Sequence, residues 1–339
     1  MGAAAAVRAA AVGGVDEDAV ARALAPHGID AAAICAQADR FDGYMADAAV
    51  DAGWQQVSTG ELSMFYQHEA WSSVHSFRAR CTLTCPPENL VACAREFDLI
   101  KTWNKHCSES LLLAEPGPME VTAFATLAIP WPLPNADVLA GAIGVDALDE
   151  YGVLVVEMTT PKGPPPGVTM PPTWGKHMKV ELMPNSYIMF EPLAPATPGG
   201  PMRTRVCMSV HSDAGIKNLP SLVITFVLKI LAPYIFREVV RVVDHAFTDP
   251  ASQLAARIRS RPELYSVVRT RIAEHMAAAA AGVGMDVGAG AGAGAAGAGG
   301  GEKGAAGGRP LSPSALGDVV VVGNLDDLPG PDGTLARVR

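Results

Sequence analysis

The sequence predicts an α+β fold in which a curved antiparallel sheet is covered by a long C-terminal helix. Three observations predict it. Residues 75–85 and 177–183 alternate apolar and polar with a period of two, the mark of half-buried strands. The strand-like runs between residues 120 and 210 are joined by turns and not by helices, which implies antiparallel pairing with one wet face. Residues 221–247 then turn helical and strongly apolar, and a helix of that kind needs a large apolar surface to cover.

Taken in order, residues 1–50 read as a helical extension. Asp30 stands where an N-cap belongs, and Pro26-His27-Gly28 interrupts the run before it. The stretch 61–67 is a plausible partner for the strand at 75–85. There Phe77, Ala79, Cys81 and Leu83 share one face, and Arg78, Arg80, Thr82 and Thr84 the other. Pro86 and Pro87 end that strand and start a helix over 88–101, with Leu90, Cys93, Ala94 and Phe97 on one side. Further strands are expected at 120–128, 152–159, 177–183, 187–191 and 204–210.

The helix over 221–247 would span about 40 Å at 1.5 Å per residue. Lys229, Pro233, Arg237, Arg241 and His245 recur at steps of four and line one side of it. Pro233 should kink or divide it. The stretch 219–236 is apolar enough to suggest a membrane span. Lys229 near its centre and the breakers Pro220 and Pro233 favour a helix packed on protein instead. Residues 277–308 are almost pure Ala and Gly, with nothing large to pack, and read as a linker. Residues 309–339 read as a disordered tail with one apolar run, Val319 to Val322.

Bulk properties narrow the function. A chain of 339 residues allows one large or two small domains. A net charge of −9 argues against general nucleic-acid binding, which needs a basic footprint. Six scattered cysteines do not make a disulfide scaffold and suit a reducing cytoplasm. The alanine-rich start has one Arg8 and then Asp16, Glu17 and Asp18, unlike a secretory signal or a transit peptide. No Asn-x-Ser/Thr acceptor occurs.

The order of several segments resembles the START (StAR-related) lipid-transfer family. They are Gly53-Trp54, then His75-Ser76-Phe77-Arg78-Ala79 running into Cys85-Pro86-Pro87-Glu88-Asn89. Asp98-Leu99-Ile100-Lys101-Thr102-Trp103-Asn104 follows, then Pro130-Trp131-Pro132-Leu133-Pro134-Asn135-Ala136-Asp137, and last Lys217-Asn218-Leu219-Pro220-Ser221. The similarity spans residues 51–248. It implies a helix-grip fold of the Bet v 1-like superfamily: a curved antiparallel sheet closed by the C-terminal helix around an apolar cavity that holds one lipid. The implied domain is 51–276. One departure stands out. Family members often carry Arg directly before the aspartate of the Trp-Pro segment, and Ala136 occupies that place. A solid core would produce the same periodicities as a cavity.

Other constellations read more plainly. Gly292, Gly294 and Gly297 spell a dinucleotide fingerprint, but inside an Ala/Gly repeat and after no strand. Ser209, His211 and Asp213 are triad residue types, yet successive same-face residues on a strand stand about 6.8 Å apart. Cys81 and Cys85 lack further ligands nearby, and no His-x3-His occurs, so no metal and no cofactor are expected. Met64, Met119, Met158, Met178, Met183, Met189 and Met208 fall in or beside strands, where flexible thioethers fill a core or face varied apolar ligands.

The expected function is therefore that of a lipid or sterol carrier or sensor and not of an enzyme. Cavity lining is expected from Met158, Met178, Met189, Met208, Val223, Phe226, Val227 and Ile230, with Glu157 and Arg205 as candidate polar contacts. The region from Lys229 to Arg271 holds eight Lys/Arg against four Asp/Glu, a local net of +4. A solvated face is the plain reading, and attraction of Lys229, Arg237 and Arg241 to anionic headgroups the sharper one. The expected partners are a lipid or sterol and a transient membrane surface, with no nucleic acid. The protein is expected to be a cytoplasmic monomer, peripheral at membranes. The alternatives are a cyclase- or aromatase-like enzyme of the superfamily, or a membrane-anchored protein using 219–236.

Overall fold

A computed structural model describes residues 31–129 and 134–281, with side chains from residue 39 onward. Expectations for residues 1–30, for 130–133 of the Trp-Pro segment and for 282–339 lie outside the described residues.

Helix α1 (Ala31–Ala49) leads into strands β1 (Gln55–Ser58), β2 (Leu62–His68) and β3 (Val74–Leu83). Pro87 starts α2 (Pro87–Arg95), which a 3-10 turn (Phe97–Leu99) links to α3 (Ile100–Trp103). Strands β4 (Cys107–Gly117), β5 (Glu120–Leu127) and β6 (Ala136–Ala147) follow, then the short α4 (Leu148–Tyr151). The remaining strands are β7 (Val153–Thr159), β8 (Met178–Leu182), β9 (Ser186–Leu193) and β10 (Arg203–Asp213). The chain closes with α5 (Ser221–Phe226), a π turn (Val227–Leu231), α6 (Ala232–His245), α7 (Gln253–Ser260) and α8 (Pro262–Ala280).

The ten strands form one sheet in the order β1-β2-β3-β10-β9-β7-β6-β5-β4. All these neighbours pair antiparallel. β8 lies off the path and pairs antiparallel with β10 and parallel with β6, so it spans two strands that β7 and β9 separate. The sheet must curve to permit this.

Strand periodicity sorts the two faces. On the inner face lie Ala79 and Cys81 of β3, Val206 and Met208 of β10, Ile188 and Phe190 of β9, and Leu154 and Val156 of β7. On the outer face lie Arg78, Ser209, Tyr187, Met189, Val153 and Val155. The C-terminal helices and α2 cover the inner face, where Leu90, Leu154, Phe190, Val243, Tyr265, Val268 and Ile272 share one packed cluster.

Helix α1 covers the outer face. Phe41 and Tyr44 pack with Val153, Val155, Tyr187 and Met189, and the Tyr44 and Tyr187 rings stand 5.1 Å apart. Helix α1 thus covers apolar side chains of the sheet that would otherwise face water. At the other end α8 continues through Ala280, into the alanine run expected to be linker from 277. Alanine's high helix propensity accounts for the extra turn.

Two helices differ from their expected form. The run over 88–101 breaks at Glu96 (φ −77°, ψ 62°), because that carboxylate is fully buried and bonded across the core. Arg257 lies 2.7 Å from it, and the Tyr265 hydroxyl donates to it at 2.7 Å. The helix over 221–245 is continuous, and the π turn immediately precedes Pro233. Wider i→i+5 bonding absorbs the missing amide and the ring's clash with the preceding turn.

Candidate functional site

The inner face under α5 and α6 is the candidate site. Leu228 packs with Met64 and Tyr66, joined by Ile224, Ala232, Phe77 and Ala79. Further along, Val242 and Val243 pack with Leu83, Cys85 and Leu90. Between these contacts the packing is incomplete. Met158, Met178, Val180, Met208 and Val210 on the inner face and Phe226 and Val227 on the helix are only half-buried. Among the described residues they join none of the three packed clusters. Their outer-face neighbours Tyr187 and Ser209 are completely buried.

The register places the expected site residues in two groups. Met158, Met178 and Met208 face inward, and Val223, Phe226 and Val227 belong to the helix whose Leu228 packs on that face. Four others do not belong there. Met189 is one residue out of phase and lies buried on the outer face against α1. Glu157 is also on the outer face, 3.2 Å from Arg40 of α1. Arg205 lies outside too, where it pairs with Glu191 at 2.6 Å. Ile230 is 47% exposed on the side of the helix away from the sheet. A one-residue step on a strand reverses its face, which explains the first three.

The polar groups of the inner face gather near the start of the helix. Tyr66 and His75 meet with Oη to Nδ1 at 2.7 Å, and His75 Nε2 lies 3.1 Å from the Ile216 carbonyl. A carbonyl only accepts, so Nε2 carries the proton and Nδ1 accepts from the phenol. His68 stacks on His75 with ring centres 4.1 Å apart. Burial lowers the His75 pKa and pushes the Tyr66 phenol up to about 12. Sequence reasoning missed this group. Its signal is the cross-strand pair His68↔His75 at the end of the β2–β3 hairpin, visible only once the register is known.

A surface depression lies elsewhere. It is an open groove of about 620 Å³ where β2 stops short of the end of β3. Arg80, Thr82, Thr84 and Arg205 line one side, and Phe236, Val240 and Val243 of α6 the other. Its mixed lining and open mouth do not suit an enclosed lipid. A smaller apolar pocket of about 40 Å³ sits beneath α2, between Val91, Met119, Ala142 and Val156.

The resemblance segments resolve into structural roles where they are described. Asp137 is buried and accepts from Thr126 Oγ1 at 2.8 Å, with His177 Nδ1 2.9 Å away, so it ties down the loop before β8. Ala136 is buried facing inward, so the charged contact implied by an arginine there is missing. Ser209 Oγ and His211 Nε2 are 3.4 Å apart, closer than strand spacing suggests. No triad results, because Asp213 is bonded to Ser73 Oγ and the Gly215 amide. Burial pushes the thiols of Cys81, Cys85 and Cys93 up to about 12, which leaves them unreactive. No group of three potential metal ligands occurs among the described residues.

The basic C-terminal region is mostly spent internally. Arg257 pairs with Asp98 at 2.5 Å, Arg269 with Glu88 at 2.9 Å, and Arg271 with Asp146 at 2.7 Å. Arg261 pairs with Glu115. Arg237 and Arg241 are exposed, Arg241 beside Glu238, and Lys229 is half-buried. No helix among the described residues is long and apolar enough to cross a membrane, and 219–236 lies on the sheet with Val223, Leu228 and Leu231 buried.

No family model and no curated protein matches the chain. Among solved structures it is similar to human StAR-related lipid transfer protein 5, with a TM-score of 0.51 at 14% identity over 62% of this chain and 95% of that one. It is also similar to human STARD10, with a TM-score of 0.46 at 17% identity over 60% and 78% of the two chains. A STAR-related lipid transfer protein from Xanthomonas axonopodis gives 0.41 at 15% identity over 57% and 99%. The first superposition carries the assignment: the chain has a START-like helix-grip fold, a curved antiparallel sheet with a helix laid across it.

Proposed function

We propose that the chain binds one lipid or sterol between the inner face of the sheet and the helix over 221–245, and acts as a carrier or sensor without chemistry. The observation that supports this is the group of half-buried methionines and valines on the inner sheet face that stay outside the packed clusters. Protein interiors are normally close-packed, so apolar side chains left half-accessible on the face that carries the helix mark a space. The solved structures of the same fold named as lipid transfer proteins agree with that reading. Apolar burial of about 25 cal/mol per Å2 of ligand surface supplies affinity. The Tyr66–His75 pair is the polar group placed to meet a ligand's hydroxyl at the end of the space. The protein works as a monomer, does not bind nucleic acid, and meets membranes transiently from the cytoplasm. Lys229, Arg237 and Arg241 face the headgroups. The enzymatic alternative loses its charged candidates, because Glu157 and Arg205 lie on the outer face.

Filling the space separates a hollow from a solid core. Val210→Phe adds bulk on the inner face. In a solid core such overpacking costs about 1–3 kcal/mol, several degrees of melting temperature. The expected result is an unchanged melting temperature with weakened uptake of a fluorescent sterol or fatty-acyl probe. A destabilised variant that keeps full uptake would overturn the reading.

A further inference from the structure

We infer that the proline-rich strap between β7 and β8 is a docking site for a small protein module whose aromatic-lined groove reads proline. This goes beyond the carrier reading and does not depend on it. The strap runs from residue 160 to residue 177 without helix or strand. Connections longer than about 12–15 residues with no secondary structure are uncommon in a domain, and many are functional. Residues 161–172 hold Pro161, Pro164, Pro165, Pro166, Pro171 and Pro172.

The strap is pinned at both ends and unpacked in the middle. At its start Thr160 N bonds to the Leu182 carbonyl at 3.0 Å, and Leu182 N to Thr160 Oγ1 at 2.7 Å. At its end Thr173 Oγ1 donates to Glu109 at 2.6 Å, the Trp174 ring stands 5.5 Å from that of buried Phe124, and His177 reaches Asp137. Among the described residues, 162–170 join none of the three packed clusters. A strap whose task was only to cover the sheet would bury its prolines. Pro164, Pro166 and Pro172 are exposed instead, and so is Lys162.

The middle nevertheless has one shape. Proline fixes its own φ and pushes the residue before it into the extended region, so Pro164 and Pro165 are extended. Pro166 and Gly167 then turn the chain, with Val168 N bonded to the Pro165 carbonyl at 3.2 Å and Gly167 at φ 78°. Extended prolines suit an aromatic groove, because their conformation is set before binding and little entropy is lost. They do not suit pairing with a partner's sheet edge, since proline has no amide to donate. Lys162 adds a charge for an acidic rim. Glu109, Phe124 and Asp137, which hold the end of the strap, belong to the outer face of the sheet. A module held there leaves the inner face and the helix over 221–245 free.

The test mixes the full chain with purified SH3, WW, EVH1 and GYF modules, one at a time, and reads binding by calorimetry. One class of module should bind at one-to-one stoichiometry, and a synthetic peptide of residues 160–172 should compete. Pro165→Ala combined with Pro166→Ala should lower the affinity about tenfold or more. Gly167→Ala keeps every proline but strains the turn, and should weaken binding as well. Lys162→Glu should weaken it at low salt and less at high salt. Pro198→Ala, in the exposed turn between β9 and β10, should change nothing. Absence of binding by every module, binding that survives the double substitution, or an equal loss in Pro198→Ala overturns the docking site. A double substitution that lowers the melting temperature by more than about ten degrees also overturns it, because the prolines then serve the fold.

Discussion

His75 shows how much one buried side chain settles. Both ring nitrogens are engaged, Nδ1 with Tyr66 and Nε2 with the Ile216 carbonyl, so the loop before the helix is held by a neutral imidazole. Burial lowers its pKa below the ordinary 6.5, and stacked His68 adds to that, while Asp213 opposes it. Because the unfolded chain binds the proton more readily, this stability is complete above about pH 6.5 and is lost as the pH falls through the lowered folded value. His106 and His211, also shifted down by burial, act in the same direction. The melting temperature should therefore fall between pH 7 and pH 5, and His75→Gln should flatten part of that slope. A profile that is level over this range contradicts the assignment. On the outer face, Arg78 is fully buried, 2.5 Å from Asp47, bonded to the Val50 carbonyl at 2.9 Å, and stacked on Trp54 at 4.1 Å. Arg78→Ala should cost about 2–4 kcal/mol, discounted because Asp47 stays partly in water, read from denaturant unfolding. The alternation of residues 75–85 revealed that Arg78 and Phe77 face opposite ways. It did not reveal that the arginine side is covered, because α1 supplies that cover from thirty residues away.

At the scale of elements, the long helix was the most legible part, since its apolar character and its need for a partner are local properties of residues 221–247. Its π turn was not, because the sequence only says that Pro233 must be accommodated. Strands with clear alternation were legible as well. β6 was not: Ala136–Ala147 is rich in Ala and Gly, and carries little strand signal. β4 was hidden by its register shifts against β5. Helix α1 was legible as a helix, but not its packing on the sheet. Removing residues 1–49 should leave Tyr187, Met189, Val153 and Val155 bare, and the product should aggregate or lose its cooperative melt. A truncated chain that melts like the intact one would show that α1 is dispensable. Phe226 is half-buried, 5.8 Å from the His106 ring, on the helix that bounds the proposed space. Phe226→Asp should abolish lipid uptake while the circular dichroism of the sheet is retained. Normal uptake by this variant would place the ligand elsewhere.

For the whole molecule, the fold follows from one sheet whose outer face is closed by α1 and whose inner face is covered by the C-terminal helices. The antiparallel sheet and its helix were expected from periodicity, and the curvature and START-like fold from the order of short segments. The individual lining residues were harder, because a strand assignment one residue out of phase sends Met189 and Arg205 to the wrong side. Whether the inner space holds a molecule is the central question. Native mass spectrometry of the full chain, purified without detergent and then exposed to mixed-lipid vesicles, answers it most directly. The account predicts a second mass series offset by one lipid or sterol at one-to-one stoichiometry, which disappears in Phe226→Asp. A single series at the mass of the bare chain, before and after exposure to vesicles, would contradict it.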